Sequence, residues 1–307
     1  MKAKKITSVI NKVLLTGIFL LTIQAGNLYA QHSDHSLLWE ISGNQLEQPS
    51  YLFGTFHLLH DEFLGTKPEV LKIFHSAEQV LVEVEIDSSK MQQLSMMTVM
   101  QGDLISNYLT VEEAGFLSEV LTSTIGVGLS QVDMLKPMAL MATLSMIHNQ
   151  IVLGEALTGY SGLPIDYWFA ADGKKSGKNV VALESMEEQM DLLFNSISVE
   201  EQAERLVSYL QNEEESFELI NKLFNCYVSE DLPCLQQIGD DMYTEMPTMT
   251  AFLDVRNVNW MEKIPALIQE KSSFIAVGAL HLTGEMGLIE LLRREGYRVE
   301  PLQTNPG

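Results

Sequence analysis

The chain is predicted to adopt an α/β (α+β) fold, with a small mixed β-sheet core made from both chain ends and a large helical insertion between them. Three observations predict it. A short apolar run ends in Gly-x-x-His at Gly54–His57, and a second does so at Gly278–His281. Each is followed by a helix-patterned stretch and another strand-like run, so each end spells strand, turn, helix, strand. Between the two units, roughly residues 90 to 260 carry helical periodicity with few interruptions.

In the first unit, Ser50 to Phe53 forms the strand and Gly54 allows a sharp turn that ends at His57. Thr66 and Glu69 spell a capping box, Pro68 occupies the first helical turn, and Val70, Leu71 and Phe74 mark the helix. A strand from Val80 to Ile86 follows, with Glu83 and Glu85 two residues apart and therefore on one face. In the second unit, Ser273 to Val277 is the strand, and Leu288, Leu291 and Leu292 mark the helix. Gly296 stops that helix, and Tyr297 to Leu302 is the last strand. The insertion reads as helices at 91–100, 111–123, 136–154, 164–172, 199–210 and 213–228. It is interrupted by a short strand at 179–183 that ends at Glu184, where Ser185 and Glu188 form a second capping box. The 16 methionines are read as soft packing within these helices.

Lys2, Lys4, Lys5 and Lys12 precede or open an apolar run from Val13 to Ile23 that is too short to span a bilayer. Small residues at Ala25 and Ala30 suit a signal peptidase. Residues 1–30 are therefore expected to be a Sec signal peptide, and residues 31–307 a single exported domain, periplasmic or secreted, with no membrane anchor after cleavage. The net charge of -22 disfavours nucleic acid and anionic lipid as partners. The two cysteines, Cys226 and Cys234, are candidates for a local disulfide in an oxidising compartment, or for a pair of free thiols.

One Gly-x-x-His is a weak signal, but two on neighbouring strand ends would bring two imidazoles together in the crevice beyond the sheet. That arrangement suits a metal site or an acid/base pair. His60, three residues after His57, adds a conceivable His-x-x-His pair with no counterpart after His281. Glu83 or Glu85 could approach His57, since two acids in an apolar strand are costly to bury unpaired. Glu184 stands at a strand end or serves a helix start. Arg256 could pair with a carboxylate or stabilise an oxyanion.

The segments 51–57, 82–86, 135–137, Leu183-Glu184-Ser185 with Gln189, Arg256-Asn257 with Trp260, and 277–284 resemble, in order, those of the TraB/GumN family. That family includes the Tiki ectodomains, metal-dependent proteases with paired Gly-x-x-His motifs. The resemblance implies that His57 and His281 are metal-binding or catalytic, and it favours Glu83 over Glu85 as the third member. It makes Arg256, Asn257 and Glu184 supporting residues, with Gly54 and Gly278 shaping the two turns.

The reading that follows is an exported peptidase acting on a peptide or protein substrate. A divalent ion held by His57, His281 and Glu83 would activate water, and Arg256 would face the oxyanion. Ligand type suits manganese, cobalt, zinc or iron, and the resemblance favours manganese or cobalt. The alternative is a non-catalytic haem- or metal-binding protein, or one serving envelope or polysaccharide assembly. The helical insertion would form either a lid over the site or a homodimer surface.

Overall fold

The computed structural model describes residues 35–245 and 249–304. The expected leader, residues 1–30, lies outside the described residues. Among them no helix is long and apolar enough to cross a membrane.

Six strands form one mixed sheet: β1 (Leu38–Gly43), β2 (Ser50–Thr55), β3 (Gln79–Val82), β4 (Asn179–Ala182), β5 (Ser273–Gly278) and β6 (Tyr297–Leu302). Their order is β4-β3-β5-β2-β1-β6. The neighbours β4, β3, β5 and β2 run parallel, whereas β1 is antiparallel to both β2 and β6. The two Gly-x-x-His strands, β2 and β5, are thus direct partners. Their register pairs Gly54 with Val277 and Thr55 with Gly278, so the two turns leave the sheet one residue out of step. The first unit crosses from β2 to β3 over the intervening β5, and the second crosses from β5 to β6 over β2 and β1. The two repeats are therefore interleaved.

Parallel strands buried on both faces need continuous apolar sequence, and β3 (Gln-Val-Leu-Val) and β5 (Ser-Phe-Ile-Ala-Val-Gly) supply it. On one face Phe53, Phe274 and Val80 meet the Pro68–Ser76 and Ile165–Lys175 helices. There Phe53, Phe74, Phe169 and Phe274 form an aromatic cluster with centroids 4.9 to 6.1 Å apart. Burying each such ring contributes about 1.5–3 kcal/mol. The opposite face carries Gln79, whose side-chain amide donates to Leu267 O in the Ile264–Glu270 helix at 3.0 Å. A separate helical core forms beyond the sheet around Ile105, Leu117, Leu121, Leu140, Leu144 and Leu206.

Several expectations are corrected. The third strand ends at Val82 rather than Ile86, so Glu83 and Glu85 lie beyond the sheet and share no strand face. The strand β1 was not expected, although Leu38, Trp39 and Ile41 are buried in it. Thr66 does not cap the following helix. Its hydroxyl donates to Phe63 O at 2.7 Å within a 3-10 turn, and Lys67 takes the cap position ahead of Pro68. Ser185 and Glu188 do form a capping box. The helices Leu232–Glu245 and Ile264–Glu270 were not foreseen. Of the methionines, Met100 and Met138 pack inside, while Met91, Met96, Met134 and Met146 stand exposed. Cys226 and Cys234 are joined as a disulfide between the Glu213–Val228 and Leu232–Glu245 helices.

The glycines of the two motifs are not there for unusual dihedrals, since neither Gly54 nor Gly278 has a positive φ. They are there for room. A Cβ on Gly54 would lie 2.9 Å from Ala279 Cα and 3.0 Å from its Cβ, where β2 meets the turn after β5. Gly54→Ala is therefore expected to cost about 1–3 kcal/mol, from a forced separation of the two turns. Urea denaturation checks this, and a loss within error of zero would refute the close-approach argument.

Candidate active site

Ligand sites in open parallel sheets lie beyond the carboxyl ends of the strands. Here four adjacent strands each deliver one side chain to that edge: Glu184 after β4, Glu83 after β3, His281 after β5 and His57 after β2. Glu184 stands beside Glu83 because the ladder continues past the strands, with Glu184 N donating to Glu83 O at 3.0 Å. A Cβ on Gly278 would point into the group, 3.3 Å from Glu83 Oε1, 3.6 Å from His281 Cδ2 and 3.9 Å from His57 Nε2.

Helices close the site from the two faces of the sheet. The Ile165–Lys175 helix brings Asp166 in its first turn, which accepts from His57 Nδ1 at 2.8 Å and from the Thr55 hydroxyl. On the other side, a single π-helical turn at Ala251–Val255 leads into the Arg256–Met261 helix and aims Arg256 inward. The guanidinium lies 4.7 Å from the Trp260 ring centroid.

Arg256 has five N–H donors, and every one is engaged. Nε donates to Glu184 Oε1 and Oε2 at 3.0 and 3.1 Å. Nη2 donates to Glu83 Oε2 at 2.5 Å and Glu184 Oε1 at 2.6 Å. Nη1 donates to Phe252 O at 3.2 Å and His281 Nε2 at 3.1 Å. Glu83 Oε1 in turn accepts from Gly278 N at 2.7 Å, and Trp260 Nε1 donates to Glu184 at 3.2 Å. Glu83 is buried, and the Glu184 and Arg256 side chains are nearly so, 10% and 12% exposed. Removing the arginine would strand two carboxylates, a loss of about 3–5 kcal/mol. With its donors spent, Arg256 holds Glu83, Glu184 and His281 in place and has no N–H left for an oxyanion.

The two histidines are anchored alike but ionise oppositely. Asn257 Nδ2 donates to two carbonyls, His281 O at 3.2 Å and Met286 O at 2.8 Å, so its Oδ1 faces His281 Nδ1 at 2.8 Å as an acceptor. His281 therefore carries its proton on Nδ1 and turns the Nε2 lone pair to Arg256. Burial lowers the His281 pKa; Glu83 opposes this, and Arg256 adds to it. The ring is neutral. His57 is instead raised, to about 9, chiefly by the charge of Asp166. Its ring is crowded by protein, yet 71% of its side chain meets solvent, which screens part of that attraction without changing the direction. Burial pushes Glu83 up, but the charges of Arg256 and His57 and the Gly278 N–H outweigh it and hold the carboxylate ionised.

His57, Glu83, Asp166 and Arg256 share a cleft of about 350 Å³ with Val84, Tyr167, Gln189, Leu192, Leu193 and Phe252. Asn257 supports His281 from behind. Glu85 stands apart, paired with Lys174 at 2.8 Å. His60 caps the 3-10 turn, pairs by backbone with Pro164 and does not line the cleft; its buried Nδ1 has no partner. The residue that sequence reading passed over is Asp166. Its only local signal is an acid in the first turn after Pro164, and that position ordinarily serves the helix dipole.

The profile of the TraB/PrgY/gumN family matches residues 37–301. The chain belongs to that family. It is also 23% identical to "Metalloprotease TIKI2" of Danio rerio, over 91% of this chain and 63% of the relative. The chain thus spans less than two thirds of that relative's length. No solved structure matches it.

The name of the metalloprotease relative implies a metal, and the donors present bear on whether this site suits one. His57 offers a free Nε2 with Nδ1 held by a carboxylate, an arrangement common among metal-binding histidines. Glu83 Oε2 and His281 Nε2, however, both face Arg256. Among the described residues no three of His, Cys, Asp or Glu are grouped so as to hold an ion. As arranged, the residues do not fit a metal.

Asp166→Asn is expected to drop the His57 midpoint back towards 6.5, read by NMR titration of the ring. The raised pKa contributes stability that is complete below pH 6.5 and is lost as pH rises through about 9, and the variant lacks that loss. An unchanged midpoint in Asp166→Asn would show that Asp166 does not set the charge of His57.

Proposed function

We propose that the chain is a peptidase that hydrolyses peptide bonds in the cleft lined by His57, Glu83, Asp166 and Arg256. The family and the metalloprotease relative support a protease-like activity. The observation that carries the mechanism is the His57–Asp166 contact at 2.8 Å, on a ring that faces the cleft and solvent. In its neutral form His57 takes a proton from water through Nε2 as the water oxygen bonds to the peptide carbonyl carbon. Asp166 stabilises the imidazolium that forms. His57 then returns the proton to the amine nitrogen as the C–N bond breaks, and it ends neutral. Glu83 supplies the negative charge facing His57, and Arg256 keeps Glu83 and His281 rigid.

Manganese, cobalt, zinc or iron, the ions the family suggests, would need Glu83 and His281, which Arg256 holds. Export to an oxidising compartment belongs to the same proposal, and the lysine-rich, apolar first thirty residues and the Cys226–Cys234 disulfide support it.

The test is cleavage of a mixed peptide library by residues 31–307, read by mass spectrometry across pH with and without chelator. His57→Ala is expected to lower the rate by about 100-fold or more. The rate should climb with pH as His57 loses its proton, towards about 9. Absence of cleavage, or cleavage unaffected by His57→Ala, would refute the proposal.

A further inference from the structure

We infer that Arg256 is this chain's built-in cation: its guanidinium holds the place between Glu83 and His281, and it keeps a divalent ion out until it is removed. The inference uses the residues of the proposed site but does not depend on their cutting peptides.

Three observations carry it. First, an ion shared by Glu83 and His281 would lie between Glu83 Oε1 and His281 Nε2, which are 3.9 Å apart. Arg256 already donates to His281 Nε2 at 3.1 Å and to Glu83 Oε2 at 2.5 Å. A dication there would stand against a fixed positive charge in a buried setting, where repulsion is poorly screened.

Second, Arg256 is not free to swing away. Glu184 grips it through Nε and Nη2, Phe252 O takes Nη1, and the Trp260 ring lies beside it. Leaving would break every one of these contacts and strand Glu184, which is itself buried. Third, the histidines are otherwise prepared for a cation. Each has Nδ1 hydrogen-bonded, His57 to Asp166 and His281 to Asn257, which leaves Nε2 as the atom turned inward. The donor atoms are of the types a metal takes, and a side chain stands where Glu83 and His281 would share an ion.

The test is binding of manganese, cobalt and zinc to residues 31–307, by competition with a chromogenic chelator and by metal analysis after gel filtration. Wild type is expected to retain no stoichiometric ion. Arg256→Met should bind one ion at least about tenfold more tightly than wild type, lose it on adding Glu83→Gln or His281→Ala, and regain melting temperature when the ion is present. Arg256→Lys, which keeps the charge, should exclude the ion as wild type does. If Arg256→Met does not fold, Arg256→Gln takes its place in the comparison. One equivalent bound by wild type and lost in His281→Ala would overturn the inference, as would a folded Arg256→Met that binds nothing. Failure to cleave peptides would count against the peptidase alone, because this readout is metal content.

Discussion

Two carboxylates from neighbouring parallel strands, Glu83 and Glu184, are buried side by side, and one guanidinium neutralises them. The rest of the site depends on that constraint. Like charges at such range cannot both stay ionised in a buried setting without a cation between them. Arg256 meets the need with two donors on Nη2, one to each carboxylate, and a third on Nε to Glu184, while the two on Nη1 fix His281 and the π-helical turn. Lysine, a single point charge with three donors, could not reproduce that fork. The arrangement ties together β3, β4, the turn after β5 and the helix that begins at Arg256, all at the carboxyl edge of the sheet.

The duplicated motifs arrive at this edge as equals and leave it as opposites. Both place an imidazole three residues after a strand-end glycine, and both bond that imidazole through Nδ1. Asn257 offers a neutral oxygen to a ring sealed from water, so His281 stays uncharged and belongs to the wall. Asp166 offers a negative oxygen to a ring open to water, so His57 holds its proton more tightly and can exchange it. Difference in burial and in partner, not in motif, divides the labour. The interleaved crossovers make this possible, because they set β2 beside β5 while drawing the closing helices from unrelated parts of the chain.

Much of this was legible in the residues. The apolar runs, the strand-end glycines and the spacing to His57 and His281 announced a mixed sheet with paired turns, because period and turn chemistry are local properties. Glu83 was legible as one of two acids within an apolar strand that was drawn too long, and only the family resemblance separated it from Glu85. Where the third strand ends is decided by how far its neighbours continue the ladder, which no local pattern records. Arg256 stood out by rarity and was read as pairing with a carboxylate or facing an oxyanion; it pairs with two carboxylates, and only three dimensions reveal that its donors are spent on them. Asp166 left almost no trace, being one more acid at the start of one more helix.

The sequence by itself determined most of the sheet, the two equivalent strand-turn histidines and a pair of candidate acids after an apolar run, for these follow from local periodicity and from the cost of burying charge. Only the tertiary structure decided the strand order β4-β3-β5-β2-β1-β6, the pairing of His57 with Asp166 and the capture of Glu83 by Arg256. Those partners lie 109 and 173 residues apart along the chain. Contacts at such separations are fixed by packing of whole elements, and no nearby residue encodes them.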